Sequence, residues 1–216
     1  MNLKSRLKIL RPPVDYAFLW HRRAATAVGQ FGEAGAPAFP AMMEAATTRQ
    51  AESDVAMSLS WILPKSAPVL TNLLMSPNPT TRCRAADALA TAPFHPSVEI
   101  MARNALLNAL HDPDRGLRMT AASALGVCAG TSATHRDAVI PALTQALSDP
   151  DPSVRGNAAN SLGNCGTNAR VAVPQLLKLL QDTNSFPRQA GAGNLLRIDP
   201  EAAAAAGVNE NGLLLR

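Results

Sequence analysis

The 216-residue chain is long enough for one or two ordinary domains, with 47% apolar and only 4% aromatic residues. It holds no apolar run of 18 or more residues, which excludes a single membrane-crossing helix. The net charge of +4 is concentrated at the start, in Lys4, Arg6, Lys8 and Arg11. The remaining residues carry equal numbers of basic and acidic groups, which disfavours the basic stripe of a nucleic-acid-binding surface.

The N-terminal basic run is followed by LKIL and then RPP, too short an apolar core for a signal peptide. The expectation is a soluble, cytoplasmic protein. The first helix has at most about ten residues and no polar capping unit before it. This leaves open a truncated first unit and an upstream export signal.

From there the chain repeats itself. Residues 148–166 read SDPDPSVRGNAANSLGNCG: a turn, an Arg, an alanine pair and a Leu-Gly. Anchored on Arg155, Ala158, Ala159, Leu162 and Gly163 follow at +3, +4, +7 and +8. Around Arg118 the same places hold Asp112, Ala121, Ala122, Leu125 and Gly126. Around Arg82 they hold Ala85, Ala86 and Leu89, and around Arg188 the frame is looser. Two weaker copies come earlier, anchored at His21 and Glu52. The anchors at 21, 52, 82, 118, 155 and 188 define a unit of 30 to 37 residues.

Each unit contains two segments with helical apolar spacing. Val139, Ile140, Leu143 and Leu147 mark one face of the first, and Val154, Ala158, Leu162 and Cys165 that of the second. The turn between them places Asp149 or Asp151 as a helix cap and Pro152 early in the helix. No stretch alternates with period two. The chain therefore reads as all-α, an α-solenoid of about six stacked helical hairpins over residues 1–200, with a short terminal helix and tail over 201–216.

A Pro early in helix A, an Asp at the A–B turn and a Val-Arg opening helix B resemble the HEAT repeat. The short unit and its A-A-x-x-L-G ending are similar to the HEAT-like repeats of phycobilisome lyases. That resemblance implies an inter-repeat ladder in which Asp112, Asp149 and Asp182 meet Arg118, Arg155 and Arg188. Ser76 stands where the Asp facing Arg82 should be, which puts that rung in question.

No catalytic constellation emerges. The histidines read His21-Arg22, His95-Pro96, His111-Asp112 and His135-Arg136, without the His-Glu pairs of di-iron HEAT-like hydroxylases. Six of the eight aromatics precede residue 62, unlike the aromatic concave face of HEAT-like glycosylases. Ser161-Leu162-Gly163 is a repeat element rather than a nucleophile elbow. The paired turn aspartates lack the ligand count of a calcium loop. Cys128 and Cys165 fall at equivalent positions, consistent with small core residues rather than a disulfide or metal site. No cofactor is expected.

With no chemistry to assign, the functional expectation is a protein- or peptide-binding scaffold, monomeric, using the concave face lined by B helices. Positions +2, +5 and +9 form the open stripe. It contains Arg23, Gln30, Asp54, Met57, Trp61, Arg84, Asp87, Thr120, Ser123, Asn157, Asn160, Asn164 and Arg197. Trp61 is either an exposed contact or a residue packed against the next helix A. The alternatives are a lyase-type accessory protein handling a prosthetic group and, behind it, a nucleic-acid-binding solenoid.

Overall fold

The computed structural model describes residues 67–90, 98–131 and 133–214, together with position 38. Nine α-helices follow one another in these residues. They are α1 (Ala67–Leu73), α2 (Pro79–Leu89), α3 (Glu99–Ala109), α4 (Arg115–Thr131), α5 (Ala133–Ala146), α6 (Pro152–Asn164), α7 (Val173–Leu179), α8 (Ser185–Ile198) and α9 (Pro200–Ala205). A 3-10 helix, Gly166–Ala172, leads into α7. Among the described residues the only β-pairing is an isolated bridge between Val208 and Leu214. The fold is an all-α solenoid of stacked hairpins, with α1, α3, α5 and α7 as A helices and α2, α4, α6 and α8 as B helices.

The start of each B helix follows from its sequence. Asn78, Asp151 and Asn184 accept hydrogen bonds from the backbone N–H groups of Thr80, Ser153 and Phe186, satisfying donors that the first helical turn leaves open. Pro79 and Pro152 occupy the first turn, where a missing N–H costs nothing. At the far end of α6, Gly166 takes a left-handed conformation (φ 56°) that lets the chain leave the helix. Helix A is less regular than the sequence implies. Pro68 and Pro174 do sit near the starts of α1 and α7, but Pro141 lies inside α5, which begins at Ala133. An exposed Pro there removes one intrahelical bond, and the preceding residues still form helix.

The core is a continuous layer between the two helix rows. Leu70, Leu89, Leu106, Leu125, Leu143, Leu162, Leu176 and Leu195 are fully buried, one per helix of the four hairpins. Val154, Ala158, Leu162 and Cys165 are buried as their spacing predicts. B helices pack against each other along much of their length, whereas successive A helices touch sparingly. The array therefore closes on the B side, which forms the inner face.

Small residues permit that closeness. A Cβ built on Gly126 would meet Ser161, including its backbone Cα at 2.9 Å, and one on Gly163 would meet the Asn194 carboxamide. Each Leu-Gly glycine thus opens a hole at +8 that receives the +6 side chain of the next B helix. The last B helix is closed off differently. Gly212, with φ 72°, packs its turn on the backbone of Gly193, and α9 packs beside α8.

Gly126→Ala should therefore destabilise the fold by about 1–3 kcal/mol, since α4 and α6 must move apart. Gly193→Ala, where a new Cβ meets nothing within 4 Å, should be neutral or stabilising by about 0.5 kcal/mol. Urea unfolding of both variants checks the contrast, and equal losses would remove close B-helix packing as the reason for the glycines.

Candidate binding surface

Arginines at the hairpin turns organise the stack. Arg155 opens α6 and donates from Nη1 to the carbonyls of Asp149 and Pro150, at 2.8 and 3.0 Å, in its own turn. Its Nε and Nη2 pair with both carboxylate oxygens of Asp182 in the next turn, at 2.7 and 2.8 Å. Arg118 repeats the pattern, donating to the carbonyls of Asp112 and Pro113 and forking onto Asp149. The planar guanidinium matches the carboxylate in a way an ammonium cannot. Each carboxylate also accepts the N–H two residues on, from Asp151 to Asp149 and from Asn184 to Asp182, fixing the turn that presents it.

The rungs thus run one unit further than the sequence-based pairing. Arg118 uses the carbonyl of Asp112 but the carboxylate of Asp149, and Arg155 uses the carboxylate of Asp182. Arg82 makes a rung after all: it donates to the Ser76 and Pro77 carbonyls and to the Asp112 carboxylate at 3.1 Å. The residue at 76 contributes only its backbone to that bond, so an Asp is not required. Arg188 keeps the two carbonyl bonds, to Asp182 and Thr183, and meets no carboxylate among the described residues. Of the two capping candidates, Asp151 caps α6, while Asp149 serves the turn and the rung.

The hydrogen bonds that Arg155 donates hold the Asp182 carboxyl below its usual range, and the same bonds, accepted by Asp182, raise the Arg155 guanidinium. Burial pushes the Cys128 thiol up to about 11, and the Cys165 thiol also rises on desolvation. Both thiols are buried, which disfavours their thiolate forms. Among the described residues, no three His, Cys, Asp or Glu side chains gather as a metal site, and no helix is long and apolar enough to cross a membrane.

The polar stripe lies on the B helices, away from the rungs. Asp87, Ser123, Asn160, Asn164 and Arg197 are exposed, while Arg84, Thr120 and Asn157 are half-buried. Position +2 is thus partly covered by the neighbouring helix, and Ala190 at that position of α8 is buried. Arg84 and Asp87 pair at 3.2 Å beside an open cleft of about 690 Å³ between α2 and α4 that also reaches Thr120. Further along, Ser123 donates to Asn157 and Asn157 donates to the Ser153 carbonyl. Arg23, Gln30, Asp54, Met57 and Trp61 lie outside the described residues.

The sequence reading missed Asn194. It is buried against Gly163, donates to Asn160 at 2.8 Å, and accepts from Arg197 at 3.5 Å. A polar residue at +6 opposite a +8 glycine was its visible signal. Also missed were Met119, exposed beside the stripe, and the exposed Arg115, which reaches Asp151 across repeats at 3.2 Å; Val127, at the +9 position of the stripe itself, is exposed.

The profile of HEAT repeats matches residues 67–134 and 103–197. The chain belongs to the HEAT-repeat family. Among solved structures, E. coli YibA is similar over 94% of this chain and 72% of its own, with a TM-score of 0.68 at 16% identity. The complex of CpcE and CpcF of phycocyanin lyase from Nostoc is similar over 72% of this chain and 96% of that one, with a TM-score of 0.60 at 18% identity. A designed armadillo-repeat protein in complex with a (KR)4 peptide covers 95% of this chain and 99% of its own, with a TM-score of 0.54 at 15% identity. These likenesses show the fold. No curated protein matches the chain.

Replacing Arg155 by Ala removes two inter-repeat bonds and should cost about 1–3 kcal/mol at neutral pH. Because the folded carboxyl of Asp182 ionises below its unfolded value, its contribution is complete above about pH 4 and fades as the pH falls through the folded value. Wild-type stability should consequently fall more steeply in acid than that of Arg155→Ala, with the two curves converging. Parallel curves in urea titrations from pH 7 to 2.5 would remove the carboxylate from the rung.

Proposed function

We propose that this HEAT-repeat chain is a non-catalytic scaffold or adaptor that binds a protein or peptide along its B-helix face. The observation that carries this reading is a division of labour between surfaces. Charges that hold the repeats together lie at the hairpin turns, where Asp149 and Asp182 are engaged by arginines. The inner face instead presents Ser123, Asn160 and Asn164, neutral groups that can donate and accept, beside exposed Met119 and Val127. Such a mixture suits a peptide surface, with backbone amides to satisfy and apolar side chains to cover. The peptide complex of the designed armadillo neighbour supports an elongated ligand on this kind of fold. The lyase neighbour shares the architecture, and nothing on the described B face singles out a prosthetic group.

Benzoylphenylalanine placed at Asn160 on the inner face, and separately at exposed Gln145 on an A helix, tests the assignment by photocrosslinking in extracts of the native host. A specific adduct from position 160, absent from position 145 and competed by unlabelled wild-type protein, is expected. Equal adducts from both positions, or none from 160, would argue against the inner face as the contact surface.

A further inference from the structure

The proposed binding face carries an asymmetry in charge. Among the described stripe residues, Arg84 is paired with Asp87 at the α2 end. At the α8 end, exposed Arg197 directs only Nη1 inward, to the Asn194 Oδ1 atom, and pairs with no carboxylate among the described residues. Asn194 is itself fixed, because its Nδ2 donates to both the Ala190 carbonyl and Asn160 Oδ1. With its Oδ1 engaged in this way, exposed Asn160 has an Nδ2 group without an acceptor among the described residues. Asn164 lies one helical turn beyond Asn160 and is likewise exposed. The result is a cluster of exposed donors on two adjacent helices, positioned by a buried amide.

We propose that this cluster receives an acidic side chain, Asp or Glu, of an extended peptide bound across the B helices; the proposal rests on the peptide-binding reading. Charge complementarity selects the occupant: a guanidinium flanked by amide donors matches a carboxylate, and the face has no free carboxylate among its described stripe residues to hold a basic chain. An internal side chain fits better than a chain terminus. Terminal carboxylates are captured by backbone N–H nests, whereas the backbone here is committed to helix. Adjacent B helices stand about 8–10 Å apart and an extended residue advances about 3.3 Å, so one repeat accommodates about three peptide residues. The acidic residue therefore lies about three positions from the one that crosses Asn164's register on α6.

The probes are fluorescein-labelled nonapeptide libraries, amidated at the C-terminus and degenerate except for one position fixed as Glu, Gln or Lys. With the fixed position walked along the peptide, one location should favour Glu over Lys by about tenfold in polarisation titrations. Arg197→Gln should abolish that preference and Arg197→Glu should invert it, with overall helicity unchanged. A role limited to stabilising the end of α8 would leave the peptide preference as in wild type, and this result would overturn the proposal. So would a preference seen only in free-acid libraries, which assigns the cluster to a terminus. Peptide binding that weakens in Asn160→Ala yet shows no Glu preference refutes the acidic anchor alone. No binding by any library refutes both the anchor and the peptide-binding reading beneath it.

Discussion

A single guanidinium that grips its own turn and the next one is the constraint on which the solenoid depends. Backbone carbonyls at a helix–helix turn need donors, and neighbouring repeats need a fixed register. Arg118 and Arg155 meet both needs at once, spending one nitrogen on two carbonyls and two nitrogens on a carboxylate from the following repeat. The carboxylate in turn holds its own loop through the N–H two residues on. Each rung is therefore local and inter-repeat together, and a stack can be extended by adding identical units.

With register fixed at the turns, the B helices can approach through Gly126 and Gly163, and the inner face follows. The approach fills each glycine hole with a side chain from the next helix. Both of these side chains, Ser161 and Asn194, are polar, and Asn194 partly shapes the surface beyond it through Asn160 and Arg197. Packing thus positions groups on the face without using the exposed residues themselves. Substitutions at Gly163 should touch stability first.

Much of this was legible in the sequence because repetition turns weak signals into strong ones. The alanine pair, the Leu-Gly and the buried series Val154, Ala158, Leu162 and Cys165 gave the helices, their faces and the order of stacking. The direction of the ladder was harder to read. Spacing places Asp149 six residues before Arg155 within one unit, and only the fold shows that its carboxylate serves Arg118 of the unit before. A trace was present in the divergent copies. Ser76 replaces Asp in the turn that follows the Glu52 anchor, so neither partner of a forward rung occurs there. Asn194 escaped notice because its role depends on a hole in the neighbouring helix, a pairing that spacing within one helix does not reveal.

The most direct test of the account is a double-mutant cycle on the rung itself, measured by urea unfolding at pH 7. Arg118→Met combined with Asp149→Asn should show a coupling of about 1–3 kcal/mol. Arg118→Met combined with Asp112→Asn should couple at least about 1 kcal/mol more weakly, because Arg118 meets only the carbonyl of that residue. Stronger coupling to Asp112 than to Asp149 would contradict a ladder that runs from each repeat into the next.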